Sequence, residues 1–233
     1  MRVPIPGGKL VTEHLAAVPQ ANGYDYWIVV HGFETNEFYA FALTQNGLSA
    51  TPVISTVGSV FTGATTAQTG LIRFSPNGRQ LAVTKMLGGL ELFDFDPATG
   101  VVSNGASLLA PARITDILTA RTVGVEFSAD GSVLYTHEGP NILRFDLQAG
   151  SPEKIIASRY SMGRSPRPVG DFLRGPDNRI YIAVYDDSGL SVIERANSLV
   201  ASSFVFRGSA LIPTSIPIVN PTPCRSGLCP TTG

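Results

Sequence analysis

Apolar and polar residues alternate along this chain in short runs, and Gly, Pro, Asn and Asp stand between the runs. In Leu92-Phe93-Asp94-Phe95-Asp96 the aromatics and the carboxylates fall on opposite sides of a two-residue period, as in a strand with one face buried. Other runs are rich in β-branched and aromatic residues, such as Tyr26-Trp27-Ile28-Val29-Val30 and Ile180-Tyr181-Ile182-Ala183-Val184, the composition of inner strands. Helical periodicity is weak, and only 113–120 has room for a helical turn.

The runs repeat. Gly70-Leu71-Ile72-Arg73-Phe74-Ser75-Pro76-Asn77-Gly78 aligns with Gly124-Val125-Glu126-Phe127-Ser128-Ala129-Asp130-Gly131 and with Asp171-Phe172-Leu173-Arg174-Gly175-Pro176-Asp177-Asn178; a looser copy surrounds Asn22-Gly23. The turn marker recurs at Asn22, Asn77, Asp130 and Asp177, which are 55, 53 and 47 residues apart. Each unit has a short apolar strand, a turn where positive φ is accessible, a β-branched strand, a third strand ending near an aromatic-Asp pair, and a fourth strand. The fourth strands are expected at 52–55 and 154–157. A repeat of about this length built of four strands predicts an all-β fold, a β-propeller of four-stranded antiparallel blades. A sandwich needs no such repeat, and a β-helix has shorter rungs.

The repeats lie around 15–55, 70–109, 123–158 and 171–208, which predicts about five blades or a portion of a larger ring. The propeller is expected over 1–218, with 209–217 as a last strand closing the ring against the N-terminal region. Residues 219–233, with Pro221, Pro223 and Pro230, read as a Pro-rich tail or linker.

Composition narrows the functional classes. Charged residues are only 15% of the 233, against about 25% in ordinary globular chains, and the formal net charge is −1. No run of Lys or Arg offers the footprint of a nucleic-acid binder. No apolar stretch approaches the roughly 18 residues of a membrane-spanning helix. The first residues lack the apolar core of a signal peptide, so the expectation is either a protein that is not exported or a chain that begins inside a longer precursor. Both cysteines, Cys224 and Cys229, lie near the C-terminus, where they can close a small disulfide loop in an oxidising compartment; the body does not depend on disulfides.

Several blocks resemble a known family. They are Asn22-Gly23-Tyr24-Asp25-Tyr26-Trp27-Ile28-Val29-Val30-His31, Glu91-Leu92-Phe93-Asp94-Phe95-Asp96 followed by Thr99-Gly100-Val101-Val102-Ser103-Asn104, Gly124-Val125-Glu126-Phe127-Ser128, and Gly175-Pro176-Asp177-Asn178-Arg179-Ile180-Tyr181-Ile182-Ala183. In this order, over about residues 9–195, they resemble the WD40-like or YVTN-like propellers of large secreted surface proteins of Bacteroidetes-type bacteria, which often precede a gliding-motility-type C-terminal sorting domain. The resemblance implies a secreted or cell-surface setting and carries over no catalytic residue. The chain departs from that family where it reads Leu211-Ile212-Pro213-Thr214 in place of a Leu-Pro-Asn-Phe-like element, and in having fewer blades.

In such a blade the loops joining strand two to three, and strand four to the next blade, share one face. Here that face collects the long connections 58–69, 110–122 and 159–170 and the shorter ones at 31–37, 85–89, 136–141 and 186–189. Long loops on a rigid scaffold are the usual place for binding. The candidate binding residues on it are His31, Glu34, Asn36, His137, Glu138, Arg164, Arg167, Asp186 and Asp187. His with carboxylates is also metal or acid–base chemistry, yet no metal-ligand spacing exists, so no catalytic residue, metal or cofactor is assigned. Arg159, Arg164 and Arg167, set among Pro166 and Pro168, form either an anion grip or a solvated loop. Asp94 and Asp96 read as outward strand positions rather than calcium ligands, and Trp27, Tyr135 and Tyr181 as packing between blades.

Three functions remain open. The first is a non-enzymatic binding or scaffold module that recognises a protein or glycan through the loop face. The second is a lactonase-like hydrolase with a metal in the central channel, for which the inner strands offer only Arg73, Glu126 and Asp171. The third is a structural spacer. Oligomeric state is left open by the sequence.

Overall fold

A computed structural model describes residues 10–60, 69–87, 89–111 and 121–210. Among these, four antiparallel sheets follow one another along the chain. The first blade is β1 (Val11–Pro19), β2 (Tyr26–Gly32), β3 (Glu37–Thr44) and β5 (Val53–Thr56), with a two-residue β4 (Gly47–Leu48) at a hairpin tip. The second is β6 (Ile72–Phe74), β7 (Gln80–Lys85), β8 (Gly89–Asp96) and β9 (Val101–Leu109). The third is β10 (Val125–Phe127), β11 (Val133–Glu138), β12 (Asn141–Asp146) and β13 (Tyr160–Arg164), and the fourth is β14 (Val169–Arg174), β15 (Ile180–Val184), β16 (Gly189–Glu194) and β17 (Ser203–Ala210).

The predicted propeller architecture is observed as four blades of a ring. The first strands stand innermost, β1 against β6, β6 against β10 and β10 against β14. Three apolar clusters fill the spaces between successive blades. Val29, Phe38, Leu81 and Phe93 lie in the first; Leu92, Phe127, Leu134 and Phe145 in the second; Tyr135, Phe172, Ile182 and Ile193 in the third. The strand period does this sorting: Phe93 and Phe95 are buried while Asp94 and Asp96 are exposed, and Asp94 accepts a hydrogen bond from Asn104 Nδ2 at 2.8 Å.

Trp27 and Tyr135 pack between blades as the sequence indicates. Each also satisfies its polar atom, Trp27 Nε1 donating to Pro97 O at 2.9 Å and Tyr135 Oη to Ala196 O at 2.7 Å. Tyr181 differs, lying half-buried on the outer side of the fourth blade with its hydroxyl donating to Asp177 Oδ2 at 2.7 Å.

One expected strand is not a strand. Residues 152–157 form α1 (Pro152–Ala157), and the fourth strand of the third blade is β13. Pro152 fixes φ for the first helical turn, Ser151 caps it by accepting from Lys154 N, and Glu153 favours the positive end of the turn. Residues 209 and 210 belong to β17, the outermost strand of the fourth blade. The rest of the expected closing strand, the tail, Cys224 and Cys229, and the suggested turn at 113–120 lie outside the described residues. No helix among the described residues is long and apolar enough to cross a membrane.

Candidate functional site

The loop face carries a groove of about 250 Å³ between the third and fourth blades. Its walls are the β13–β14 connection, with Arg164, Pro166, Arg167 and Pro168, the β11–β12 turn at Gly139 and Pro140, and Arg121 from the connection entering β10. Hydrogen bonds hold these segments together. Ser165 N donates to Pro140 O at 2.8 Å, Gly139 N to Arg121 O at 2.8 Å, and Arg121 Nη2 to Val169 O at 2.8 Å. Three prolines and this lacing limit the freedom of the walls, so three arginines are presented on a stiff frame. Arg167 is partly engaged, Nη1 lying 2.8 Å from Asp186 O and 3.2 Å from Asp186 Oδ2, whereas Arg164 is exposed.

His137 lies beneath the groove, not on it. It is fully buried and stacks on Phe172. Its Nδ1 is 2.8 Å from Gly139 O, and its Nε2 accepts from Val123 N at 3.0 Å and Gly124 N at 3.2 Å. One neutral tautomer satisfies all three contacts, and burial pushes its pKa down to about 4. His137 therefore ties the β11–β12 turn to the strand entry that brings Arg121. His31 is likewise buried at the end of β2, edge-on to Phe38, with Nδ1 2.8 Å from Gly32 O. Burial depresses its pKa to about 3. The expectation that both histidines present themselves on the loop face is thus corrected: apolar neighbours draw the rings inward, and backbone partners make burial affordable only for the neutral form.

The other candidates divide by blade. Glu34 is exposed in the β2–β3 turn, and Asn36 holds that turn to the next connection, its Nδ2 3.4 Å from Gly58 O. Both belong to the first blade, remote in the fold from the groove. Glu138 pairs with Arg159 at 2.5 Å, Asp186 with Arg167, and Asp187 with Arg207 at 2.8 Å. The Arg207 hydrogen bond holds the Asp187 carboxyl below its usual range. Of the nine residues, Arg164 and Arg167 line the groove, Asp186 and His137 support it, and the rest stand apart. Arg121 escaped the sequence reading because it precedes the repeat and no motif marks it.

The inner strands form a second polar centre. Arg73 on β6 donates to Asp171 Oδ2 on β14 at 2.7 Å, and its Nε lies 3.7 Å from Glu126 Oε2 on β10. Glu126 is 7% exposed and also accepts from Phe127 N at 3.0 Å. Burial raises its pKa, and Arg73 opposes that rise. Arg174 closes the group from β14, Nη1 donating to Ser128 O at 3.1 Å. These carboxylates are already neutralised by a guanidinium, so the set does not fit a divalent cation, whose ligands must face it unopposed. Among the described residues no group of three or more His, Cys, Asp or Glu could hold a metal ion.

No protein-family model and no curated protein matches the sequence. The fold is shared with solved propellers. A protein from Lactobacillus plantarum aligns with a TM-score of 0.57 at 15% identity, over 90% of this chain and 58% of its own. The periplasmic gluconolactonase PpgL of Pseudomonas aeruginosa aligns with a TM-score of 0.52 at 17% identity, over 82% of this chain and 52% of its own. The virginiamycin B lyase of Staphylococcus aureus aligns with a TM-score of 0.52 at 13% identity, over 91% and 59%. This chain therefore shares a fold with proteins described as a lactonase and a lyase, and it spans little more than half of their length. Identities this low speak for the fold and leave activity open.

Proposed function

We propose that the chain is a non-enzymatic binding module of an exported or cell-surface protein, recognising an anionic group on a protein or glycan through its loop face. The observation that supports this most is the groove in which Arg121, Arg164 and Arg167 stand on a proline-stiffened frame. Guanidinium groups suit carboxylate or sulfate because they donate two parallel hydrogen bonds. A rigid frame lowers the entropy lost when they engage. A pure spacer has no use for such a convergence. The hydrolase reading draws support from the lactonase and lyase neighbours, but it would require Glu126 and Asp171 to be released from Arg73. The family resemblance adds the exported setting.

Binding to immobilised polygalacturonate and to a polyglutamate peptide, measured by interferometry at low and high ionic strength, tests the reading. Salt-sensitive binding to either, lost in Arg164→Ser/Arg167→Ser with the circular dichroism spectrum unchanged, is expected. Equal binding by the variant would sink the assignment of the groove.

A further inference from the structure

The turns from strand one to two and from strand three to four leave the blades at the ends opposite the loop face. There a cavity of about 610 Å³ opens between the first and second blades and reaches the inner strand of the fourth. Its walls are the β1–β2 corner at 17–21, the β6–β7 segment at 74–79, Pro97 of the β8–β9 turn and Arg174 at the end of β14. These segments are tied down. Ala21 N donates to Pro97 O at 3.0 Å, Trp27 Nε1 donates to the same carbonyl at 2.9 Å, and Ser75 N donates to Gln80 O at 2.9 Å across the β6–β7 turn. Gly78 lets that turn lie close against the first blade: its φ is +68°, and a Cβ on it would come within 2.9 Å of Val18 Cγ2. The lining is apolar at Val18, Phe74, Pro76 and Pro97, and it holds two arginines, Arg79 and Arg174, and no carboxylate. Arg174 Nη1 donates to Ser128 O at 3.1 Å, which fixes the side chain across the inner strands. Arg79 is exposed and makes no side-chain hydrogen bond among the described residues. Asp96 feels the charge of Arg79, but its carboxylate is turned to its own loop, accepting from Ala98 N at 3.0 Å and Thr99 Oγ1 at 2.6 Å.

We propose that this cavity is a second binding site, for a small carboxylic acid with an apolar body, its carboxylate held by Arg79 and Arg174 and its body laid against Phe74 and the prolines. Three observations select this ligand class. The volume falls within the roughly 300–1,000 Å³ of small-molecule sites. Two guanidinium groups in a wall without a carboxylate leave a positive charge that an anion complements, and a carboxylate matches their paired donors. The apolar part of the wall gains by covering an apolar body and gains nothing from a bare inorganic ion. The bonded turns and the prolines hold the walls before any ligand enters, which lowers the entropy lost on binding. This site stands at the other end of the blades from Arg121, Arg164 and Arg167, so the proposal does not depend on what the arginine groove binds.

Calorimetric titration of the protein with phenylacetate tests this. Phenylacetamide serves as the probe with the same body and no charge, and acetate as the probe with the charge and no body. One-site binding of phenylacetate is expected, with each control bound about tenfold more weakly or not at all. Two variants at exposed lining positions separate charge from shape: Arg79→Gln removes a cation, and Ala17→Phe fills the cavity. Each should weaken phenylacetate about tenfold with the circular dichroism spectrum unchanged, while Arg164→Ser/Arg167→Ser on the loop face binds it as the unaltered protein does. No binding of phenylacetate, equal binding of phenylacetamide, full binding by either cavity variant, or loss of binding in the loop-face variant would each overturn the site.

Discussion

Arg73 of the second blade reaches past the third to hydrogen-bond Asp171 of the fourth, Nη2 to Oδ2 at 2.7 Å. The same guanidinium faces the buried carboxylate of Glu126 in the blade between. One side chain thus links the inner strands of three blades, and its removal leaves a buried carboxylate short of its counter-charge. Arg73→Met should lower the unfolding free energy by about 2–4 kcal/mol, the scale for breaking a buried pair on one side. Pairing it with Glu126→Leu should recover most of that loss. Urea unfolding of the two variants checks both statements, and a wild-type midpoint for Arg73→Met would show the link to be idle.

The three histidines of the chain, His14, His31 and His137, are all buried. His14 Nε2 lies 2.8 Å from Thr84 O, and burial lowers its pKa as well. A histidine whose pKa is depressed by folding stabilises the fold above the unfolded value of 6.5, and that stability is lost as the pH falls. The loss runs from 6.5 toward about 4 for His137 and about 3 for His31. Each contributes a slope of up to about 1.4 kcal/mol per pH unit. Denaturant midpoints measured between neutral pH and pH ~5 should therefore fall, and His137→Gln should flatten the fall even though it costs stability at neutral pH.

Gly124 shows how closely the inner strands approach. A Cβ there would sit 2.4 Å from Gly170 O and 2.5 Å from Phe172 Cδ1. The first neighbour is backbone and cannot swing away, so Gly124→Ala must push the third and fourth blades apart. A loss of about 1–3 kcal/mol is expected, with near-ultraviolet circular dichroism reporting loosened aromatic packing. Unchanged thermal unfolding would contradict the close approach.

Tyr135→Phe tests the blade junction from the other side. Its hydroxyl is fully buried and donates to Ala196 O, so the variant strands a carbonyl at a cost of about 1–2 kcal/mol. Tyr181→Phe, whose partner Asp177 is exposed, should cost much less. Equal effects would refute the distinction between inner and outer tyrosines.

The sequence by itself determined the blades. Strand periodicity, turn residues and a repeat of about fifty residues are local or nearly local signals, and they decide which side of each strand is apolar. They also marked the loop bearing Arg164 and Arg167, because length and proline content are visible along the chain. The sequence could not assign 152–157 correctly, since Lys154-Ile155-Ile156-Ala157 is apolar enough for a strand and the choice rests on Ser151 and Pro152 starting a helical turn. Tertiary structure alone decided that His31 and His137 are buried and neutral, for a loop position in the chain says nothing of the rings packed above it. It also brought Arg121 to Arg164, and Arg73 to Glu126 and Asp171. Arg121 and Arg164 stand at opposite ends of the third blade's chain segment, whereas Arg73, Glu126 and Asp171 come from three different blades, where only the curvature of the ring sets the distances.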